Sequence, residues 1–216
     1  MNIKTFMGLS LAVLPCVAMA YSNQNEQSYR TSAYIGAQAS YLITKDKAAF
    51  ANTNKKNTRH DAVFSGFIGY GKVTNDNNLP YLGVELGYQH RDKYNGGSNI
   101  GEGNLNGRFI NADWAVSADI LPGLFYDDAH TLLIYGRAGL ERDHFKLTGA
   151  GNNMSKNKLM YRLGVGLEQQ LLRNFYLRLD YTLSLASNAI TFNQAGTQYS
   201  SKPMFNAIGL GLSYRF

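Results

Sequence analysis

The sequence predicts an all-β protein, an eight-stranded antiparallel up-and-down transmembrane β-barrel. Three observations predict it: apolar residues alternate with small or polar ones in eight segments, long and short connections alternate between the segments, and the polar positions are rich in glycine. A period of two places the apolar side chains on one face of a strand. After residue 20, no stretch approaches the roughly 18 consecutive apolar residues of a membrane helix, so any membrane crossing would use strands.

The C-terminal segment shows the alternation clearly. Ile208, Leu210 and Leu212 alternate with small or polar residues, and the chain ends on the aromatic ring of Phe216. The same pattern predicts strands over residues 32–43, 61–72, 80–91, 108–121, 131–144, 158–171, 175–186 and 204–216. Each segment has about the ten residues that a tilted strand needs to cross a bilayer.

The connections between the segments alternate in length. The first, third, fifth and seventh are long and polar, whereas the second, fourth and sixth are shorter, and the sixth is the tight turn at 172–174. Long external loops and short periplasmic turns are typical of an even-stranded membrane barrel. We therefore expect the long connections at one end of a barrel and the short ones at the other.

The polar face is predicted to be the inside of the barrel. Its glycines, such as Gly69, Gly83 and Gly166, would weaken a strand facing water, but small residues fit a narrow lumen. The apolar face then contacts lipid, and in the fourth segment it is expected to carry Ala112 and Trp114. Outward aromatics predict two interfacial girdles: Tyr41, Phe64, Tyr88 and Tyr161 at the loop ends, and Tyr70, Phe175, Tyr214 and Phe216 at the turn ends. Trp114 lies nearer the middle of its predicted strand.

The N-terminus predicts secretion. Lys4 precedes an apolar stretch, and Ala18-Met19-Ala20 is a small-residue cleavage pattern, so residues 1–20 are expected to be a cleaved signal peptide. Residues 21–216 would then form a single outer-membrane β-barrel domain. The one cysteine, Cys16, lies in the predicted signal peptide, so a mature chain would have no disulfide or thiol chemistry.

Several segments resemble the small eight-stranded outer-membrane barrels of the OmpA-like and opacity-protein type. These are AYIGAQASY, YLGVELGYQ, IYGRAGLE, YRLGVGLEQQL, YLRLDYTLS and the terminal aromatic strand. The resemblance implies a Gram-negative outer membrane, and it implies that Tyr214 and Phe216 are read by the barrel assembly machinery. Members range from adhesins to structural barrels. The chain ends at Phe216, so the peptidoglycan-binding domain of full-length outer-membrane protein A is not expected.

Charged residues on the inward parity predict an interior charge network, because charges in a low-dielectric enclosure are costly unless paired. Its predicted members are Glu85, Asp113, Arg137, Glu141, Arg162, Glu168, Arg178, Asp180 and Arg215. Reflection about the tight turn sets Glu168 opposite Arg178, and the same construction across the longer fifth connection sets Glu141 opposite Arg162. Such a network either plugs the barrel or lines a narrow ion path, and a plug is favoured because eight-stranded interiors are just wide enough for side chains.

The external loops are predicted to be the working surface. Basic residues crowd the first loop at Lys45, Lys47, Lys55, Lys56 and Arg59, and Lys93, Lys146, Lys156 and Lys202 extend the basic rim. Candidate partners are outer-membrane lipid, phosphates of lipopolysaccharide, and a host or surface glycan. A nucleic-acid partner is not expected in this compartment despite the net charge of +6, and the protein is expected to be a monomer.

Catalysis and cofactors are not predicted. A lipid-modifying barrel enzyme needs a histidine with serine or carboxylate neighbours near the rim. His60 and His130 are assigned to a loop and a turn, His90 and His144 have outward parity, and Ser184 has no inward histidine beside it. No metal-ligand spacing is present. The sequence therefore predicts a non-enzymatic barrel in envelope integrity or surface adhesion, with a small pore and a lipid-modifying enzyme as alternatives.

Overall fold

The fold consists of β-strands. The computed structural model describes residues 31–50, 53–73, 80–91, 100–105, 108–126, 131–148, 154–194 and 197–216. The strands are β1 (Thr31–Phe50), β2 (Thr53–Val73), β3 (Pro80–His90), β4 (Ile100–Leu105), β5 (Arg108–Phe125), β6 (Leu132–Thr148), β7 (Met154–Leu172), β8 (Phe175–Ala186), β9 (Ile190–Gln194) and β10 (Thr197–Arg215). Within these ranges, no helix is long and apolar enough to cross a membrane.

Eight of these strands form a closed barrel. Each is antiparallel to its neighbours in the order β1, β2, β3, β5, β6, β7, β8, β10, and β10 pairs with β1, with Tyr34 opposite Arg215. The short strands β4 and β9 pair with β5 and β10 beside this cycle. The predicted eight-stranded antiparallel barrel is confirmed. The sequence missed β4 and β9 because each is short and shows no sustained alternation.

Several strands extend beyond the predicted segments at the loop end, which is the end where β1 leads into β2. β1 continues to Phe50 and β2 begins at Thr53, so most of residues 45–60, predicted as the first loop, belong to a hairpin. These residues show no regular apolar alternation, so periodicity could not reveal the strands. At the turn end, β7 stops at Leu172 and β8 starts at Phe175, as the sequence predicted.

The outer wall of the barrel is apolar, as predicted. Leu86 and Val165 are 58% and 60% exposed on the outer face, whereas Glu85 on the inner face is 4% exposed. The outward orientation predicted for Ala112 is wrong, because this residue is buried. The pairing of β5 with β6 shifts register between Ala112 and Trp114, and such a bulge changes which face a residue occupies.

The two girdles lie at the two ends of the apolar wall. Trp114 pairs in register with His90 on β3 and His144 on β6, and its ring stacks on His144 at 5.1 Å between centroids. His90 in turn lies opposite Phe64. Trp114 therefore belongs to the loop-end girdle and not to the middle of the wall, because β5 continues to Phe125 at the other end.

The interior is packed in three layers. An apolar and aromatic cluster fills the turn end and consists of Tyr34, Phe67, Tyr81, Leu121, Leu133, Tyr135 and Tyr176. A second apolar cluster fills the loop end and consists of Leu42, Val63, Ala112, Phe145, Met160, Ala186, Ile190, Phe192, Phe205 and Ala207. Inward glycines make room for the rings, since a Cβ on Gly69 would collide with Tyr34 and one on Gly166 with Tyr135. Charged side chains lie mainly between the two clusters.

Candidate functional site

Glu85 is the centre of the interior charge network. Its two carboxylate oxygens accept from two arginines, with Arg137 Nη1 at 2.8 Å and Arg178 Nη1 at 2.6 Å. Arg178 also binds Asp180 at 2.8 Å, and Arg137 binds Asp119 and reaches Asp180 at 3.5 Å. All five side chains are at least nine-tenths buried. Each charge therefore has opposite charges within contact distance, which offsets the cost of removing it from water.

Arg162 connects this centre to a second group nearer the loop end. Its Nη1 lies 3.1 Å from Asp119, and its Nε lies 3.7 Å from Glu141. Glu141 also accepts from Arg91 Nη2 at 2.9 Å, and Arg91 binds Asp143 as well. The network thus continues from the middle of the barrel toward the loop end. Arg91 lies against the apolar cluster there, 4.2 Å above the ring of Phe205.

Arg215 anchors the network at the turn end. Its Nε donates to Glu168 at 3.1 Å, and its guanidinium also donates to Ser32 at 3.1 Å. It lies 4.9 to 5.6 Å from the ring centres of Tyr34, Tyr81 and Tyr176. Arg215 is 1% exposed. The penultimate residue of the chain is therefore fixed inside the barrel by groups from β1, β3, β7 and β8.

The first predicted ion pair has the right register and the wrong partners. Glu168 lies opposite Arg178 in the β7–β8 hairpin, as predicted. The ion pair expected between them does not form, because Glu168 binds Arg215 while Arg178 reaches across the lumen to Glu85. These side chains bind partners on non-adjacent strands across the barrel interior. The register of a single hairpin gives no information about such contacts.

The second predicted pair has the wrong register and the right partner. Glu141 lies opposite Met160, and Arg162 lies opposite Gly139. The two charges still meet diagonally at 3.7 Å. A shift of two residues keeps both side chains on the inner face, so the contact survives the error.

A small cavity lies within the layer of charges. A cavity of about 30 Å³ is lined by Gln38, Ser65, Gln89, Ser117 and Arg162, among others. This volume is enough for one or two waters. Apolar clusters lie on both sides of the charged layer. The described side chains thus arrange the charges as a packed layer, which is the arrangement expected of a plug.

The basic residues predicted at the first loop lie on strands. Lys45 and Lys47 are exposed on the outer face of β1, and Lys55 and Lys56 are on β2 opposite Ala48 and Lys47. Arg59 is partly buried and pairs with Asp61 at 3.6 Å. Among the described side chains of β1 and β10, Lys45, Lys47 and Lys202 are exposed cations.

The other predicted rim cations differ in their contacts. Lys146 binds Asp113, a predicted interior residue, at 2.5 Å near the loop end. Lys156 donates to the backbone oxygen of Thr191 and lies 5.3 Å from the ring centre of Phe192. Lys93 lies outside the described residues. Lys146 and Lys156 therefore have contacts within the barrel, which differ from the exposed positions of Lys45, Lys47 and Lys202.

The described histidines are on the outer wall. His60 stacks on Tyr41, with its Nδ1 3.0 Å from the tyrosine hydroxyl, and was wrongly assigned to a loop. His144 Nδ1 lies 2.8 Å from Asn157 Oδ1. His90 is exposed, and His130 lies outside the described residues. Ser184, predicted to point inward, donates to Glu141 at 3.2 Å.

Three charged residues of the network were not among the predicted members. Asp119 and Asp143 have the same inward parity as their neighbours on β5 and β6, so extending the alternation would have found them. Arg91 follows the last residue of β3 and is buried, with its backbone N–H bonded to Asp113. It lies in the predicted segment 80–91 with the same inward parity as Glu85, so the alternation places it on the polar face.

The closed barrel, its lipid-facing apolar wall and its packed polar interior define a small β-barrel of the outer membrane. Residues 9–216 match the outer membrane protein beta-barrel domain family, and the chain belongs to this family. It is an outer-membrane β-barrel protein.

Two relatives are similar along most of the chain. The 31 kDa outer-membrane immunogenic protein of Brucella melitensis is 25% identical in an alignment of length 203 that covers 86% of this chain and 83% of the relative. Outer membrane protein A of Serratia marcescens is 26% identical in a gapped alignment of length 221 that covers 99% of this chain and 56% of the relative.

Solved barrels have the same fold. Ail, the attachment invasion locus protein of Yersinia pestis, superposes with a TM-score of 0.55 at 16% identity, covering 87% of this chain and 99% of Ail. OprG of Pseudomonas aeruginosa gives a TM-score of 0.52 at 11% identity, covering 87% and 98%.

Proposed function

We propose that this protein is a non-enzymatic outer-membrane barrel with a closed interior, and that it acts in envelope integrity or surface adhesion through its extracellular loop end. The packed interior carries this proposal. Arg137, Arg162 and Arg178 lie with their carboxylate partners between two apolar clusters, and a cavity lined by Arg137 and Arg162 has about 30 Å³. With the lumen filled, the surfaces left for function are the lipid-facing wall and the two ends.

The exposed lysines favour an anionic partner at the loop end. Lys45, Lys47 and Lys202 are solvent-exposed beyond the outer girdle. Lipopolysaccharide phosphates and sulfated surface glycans have the complementary charge. Ail, which has the same fold, is an attachment invasion protein and has been crystallised with the heparin analogue sucrose octasulfate. For this chain we propose only the same kind of ligand, an anionic one, at the external end of the barrel.

The proposal includes a route to the membrane. Residues 1–20 would be removed as a signal peptide, leaving residues 21–216 as one barrel domain. The outward rings of Tyr214 and Phe216, at the end of the closing strand, would be recognised by the barrel assembly machinery. The folded protein would be a monomer surrounded by outer-membrane lipid.

Conductance in planar lipid bilayers tests the closed interior. The refolded protein is added after heat-modifiable gel mobility has shown that the barrel is formed. We expect no steady single-channel current. A steady current that changes in Arg137→Gln or Glu168→Gln would instead assign the interior charges to an ion path and would favour the small-pore alternative.

Lipid analysis tests the absence of catalysis. The described histidines lie on the outer wall, and Ser184 binds a carboxylate rather than a histidine. We therefore expect identical lipid A and phospholipid mass spectra from cells with and without the protein. A new acylated, deacylated or hydrolysed species that depends on the folded barrel would contradict the proposal.

A further inference from the structure

Three lysines lie in one row across neighbouring strands at the loop end. Lys47 on β1 is directly opposite Lys202 on β10 and directly opposite Lys56 on β2. Lys45 lies two residues before Lys47, on the same face of β1. The side chains of Lys45, Lys47 and Lys202 are exposed on the outer wall, and Lys56 is placed by its register. We call Lys45, Lys47, Lys56 and Lys202 the lysine row.

The lysine row is electrostatically unfavourable by itself. Residues directly opposite on antiparallel strands have Cβ atoms about 4.5 to 5.5 Å apart, and like charges there are destabilising. The neighbouring outward side chains that the structure describes carry no carboxylate: they are Ile43 on β1, Thr58 and His60 on β2, and Ser200, Met204 and Asn206 on β10. These described neighbours supply no counter-charge to the row.

A buried carboxylate behind the row holds its strands in place. Asp46 points to the inner face and is 4% exposed. It accepts a hydrogen bond from the Ser201 hydroxyl at 2.8 Å and is also bonded by the backbone N–H groups of Lys47 and Lys202. The backbones that carry the two opposed lysines are therefore tied to one side chain. The backbone positions of Lys47 and Lys202 are therefore held next to each other.

The distance of the lysine row from the girdle and the direction of its side chains indicate which ligand it can reach. Lys45 and Lys47 follow the girdle residue Tyr41 by four and six positions. At about 3.4 Å per residue and a tilt near 40°, they lie roughly 10 and 16 Å beyond the girdle. The side chains project sideways from the barrel wall, toward the headgroups of neighbouring lipids. A long lysine side chain can also reach back toward the interface.

We propose that the lysine row binds the phosphate groups of a phosphorylated outer-leaflet glycolipid beside the barrel. The proposal rests on the proposed function, because it names the anionic partner of the same extracellular end. Phosphate supplies the charge that the described outward neighbours of the row lack, and each lysine offers three donors to its oxygens. The sideways orientation favours a lipid over a soluble glycan approaching from above the barrel.

Retention of lipid A by the folded barrel tests the proposal. The refolded full-length barrel in detergent is mixed with bisphosphorylated lipid A, and bound lipid is quantified by native mass spectrometry. We expect Lys47→Gln/Lys202→Gln to weaken binding about tenfold or more, from the usual strength of a lysine near an anionic headgroup. Lys72→Gln/Arg173→Gln is the matched control, since it removes two exposed cations at the turn end and should leave binding unchanged. Heat-modifiable mobility checks that each variant has folded.

Two results would overturn the proposal. One is equal affinity of wild type and Lys47→Gln/Lys202→Gln for lipid A. The other is equal affinity of the wild type for lipid A with and without its phosphates. Heparin is tested in parallel: if the double variant loses heparin but keeps lipid A, the row binds a soluble sulfated glycan. That outcome would contradict the lipid proposal and would still agree with the proposed surface function. Steady conductance in planar bilayers would contradict only the proposed closed interior.

Discussion

Arg178 and Glu85 form an ion pair across the barrel lumen, with 2.6 Å between Nη1 and Oε2. Their strands, β8 and β3, are not neighbours in the barrel. The pair therefore joins opposite walls, and both side chains are buried. In such an enclosure, removing one partner leaves an unpaired charge that cannot reach water.

Arg178→Met is expected to destabilise the barrel strongly. The variant removes one of the two arginines that bind Glu85 and also removes an arginine that binds Asp180. The free energy of unfolding should therefore fall by about 3 to 5 kcal/mol. Urea unfolding in lipid vesicles measures it, with fluorescence from Trp114, the single tryptophan of the chain. The double variant Glu85→Gln/Arg178→Met should recover part of the loss. An unchanged midpoint in Arg178→Met would show that the pair contributes nothing.

Glu168→Ala tests a different partner. The sequence placed Glu168 opposite Arg178, but in the structure the variant removes the carboxylate that binds Arg215. We expect a loss of about 3 kcal/mol in the same unfolding assay, because Arg215 is buried among three tyrosine rings. Glu168→Ala/Arg215→Met should be more stable than Glu168→Ala. If instead Glu168→Ala/Arg178→Met were the variant that recovered stability, the Arg215 assignment would be wrong.

The strands were predictable from the sequence where one face meets lipid. In β3, the alternation of Leu82, Val84 and Leu86 with inward residues requires no knowledge of tertiary structure. Beyond the girdle, the segment of β1 around Lys47 shows no regular apolar alternation. It is a strand because it pairs with β2 on one side and with β10 on the other. Local periodicity carries no information about such pairing.

The candidate site was predictable as a set of inward charges but not as a set of pairs. Inward parity identifies Glu85, Glu168 and Arg178. Which of these charges form pairs depends on closure of the barrel. Arg178 reaches across the lumen to Glu85, and Arg215 on the last strand binds Glu168. The bulge between Ala112 and Trp114 is a further feature that alternation alone cannot locate.

Gly69→Ala tests the packing of inward glycines against rings. A Cβ at position 69 would collide with the ring of Tyr34, whose hydroxyl donates to Glu85 at 3.1 Å. The ring must shift, so we expect a loss of about 1 to 3 kcal/mol in unfolding free energy. Gly66→Ala is the control, because its nearest neighbouring atom, the Gly36 carbonyl oxygen, is 3.8 Å away. Equal stabilities for the two variants would contradict this packing argument.

Phe216→Ala should affect assembly in cells and leave the folded barrel nearly unchanged. Phe216 is 74% exposed, and its ring packs edge-on against Tyr214 with 5.1 Å between centroids. We expect less folded protein in the outer membrane, measured by heat-modifiable mobility of membrane fractions, with refolding in vesicles as efficient as wild type. Leu172→Ala, at another exposed turn-end position, is the control. Parallel losses in cells and in vesicles would point to stability instead of assembly-machinery recognition.

Asp46 predicts a pH-dependent stability at the loop end. Burial raises the pKa of Asp46 from its ordinary 3.8 to about 6, against the opposing effect of its hydrogen bond from Ser201. Between about pH 4 and pH 6, the folded chain therefore holds a proton that the unfolded chain has lost, and the free energy of unfolding falls as pH rises. Above pH 6 this cost is complete, at about 2 to 3 kcal/mol. Asp46→Asn should thus match wild type near pH 4 and be more stable at pH 8, by urea unfolding in vesicles. The difference between the two proteins isolates Asp46 from the other titrating groups, and a difference that stayed constant with pH would show that Asp46 does not titrate in this range.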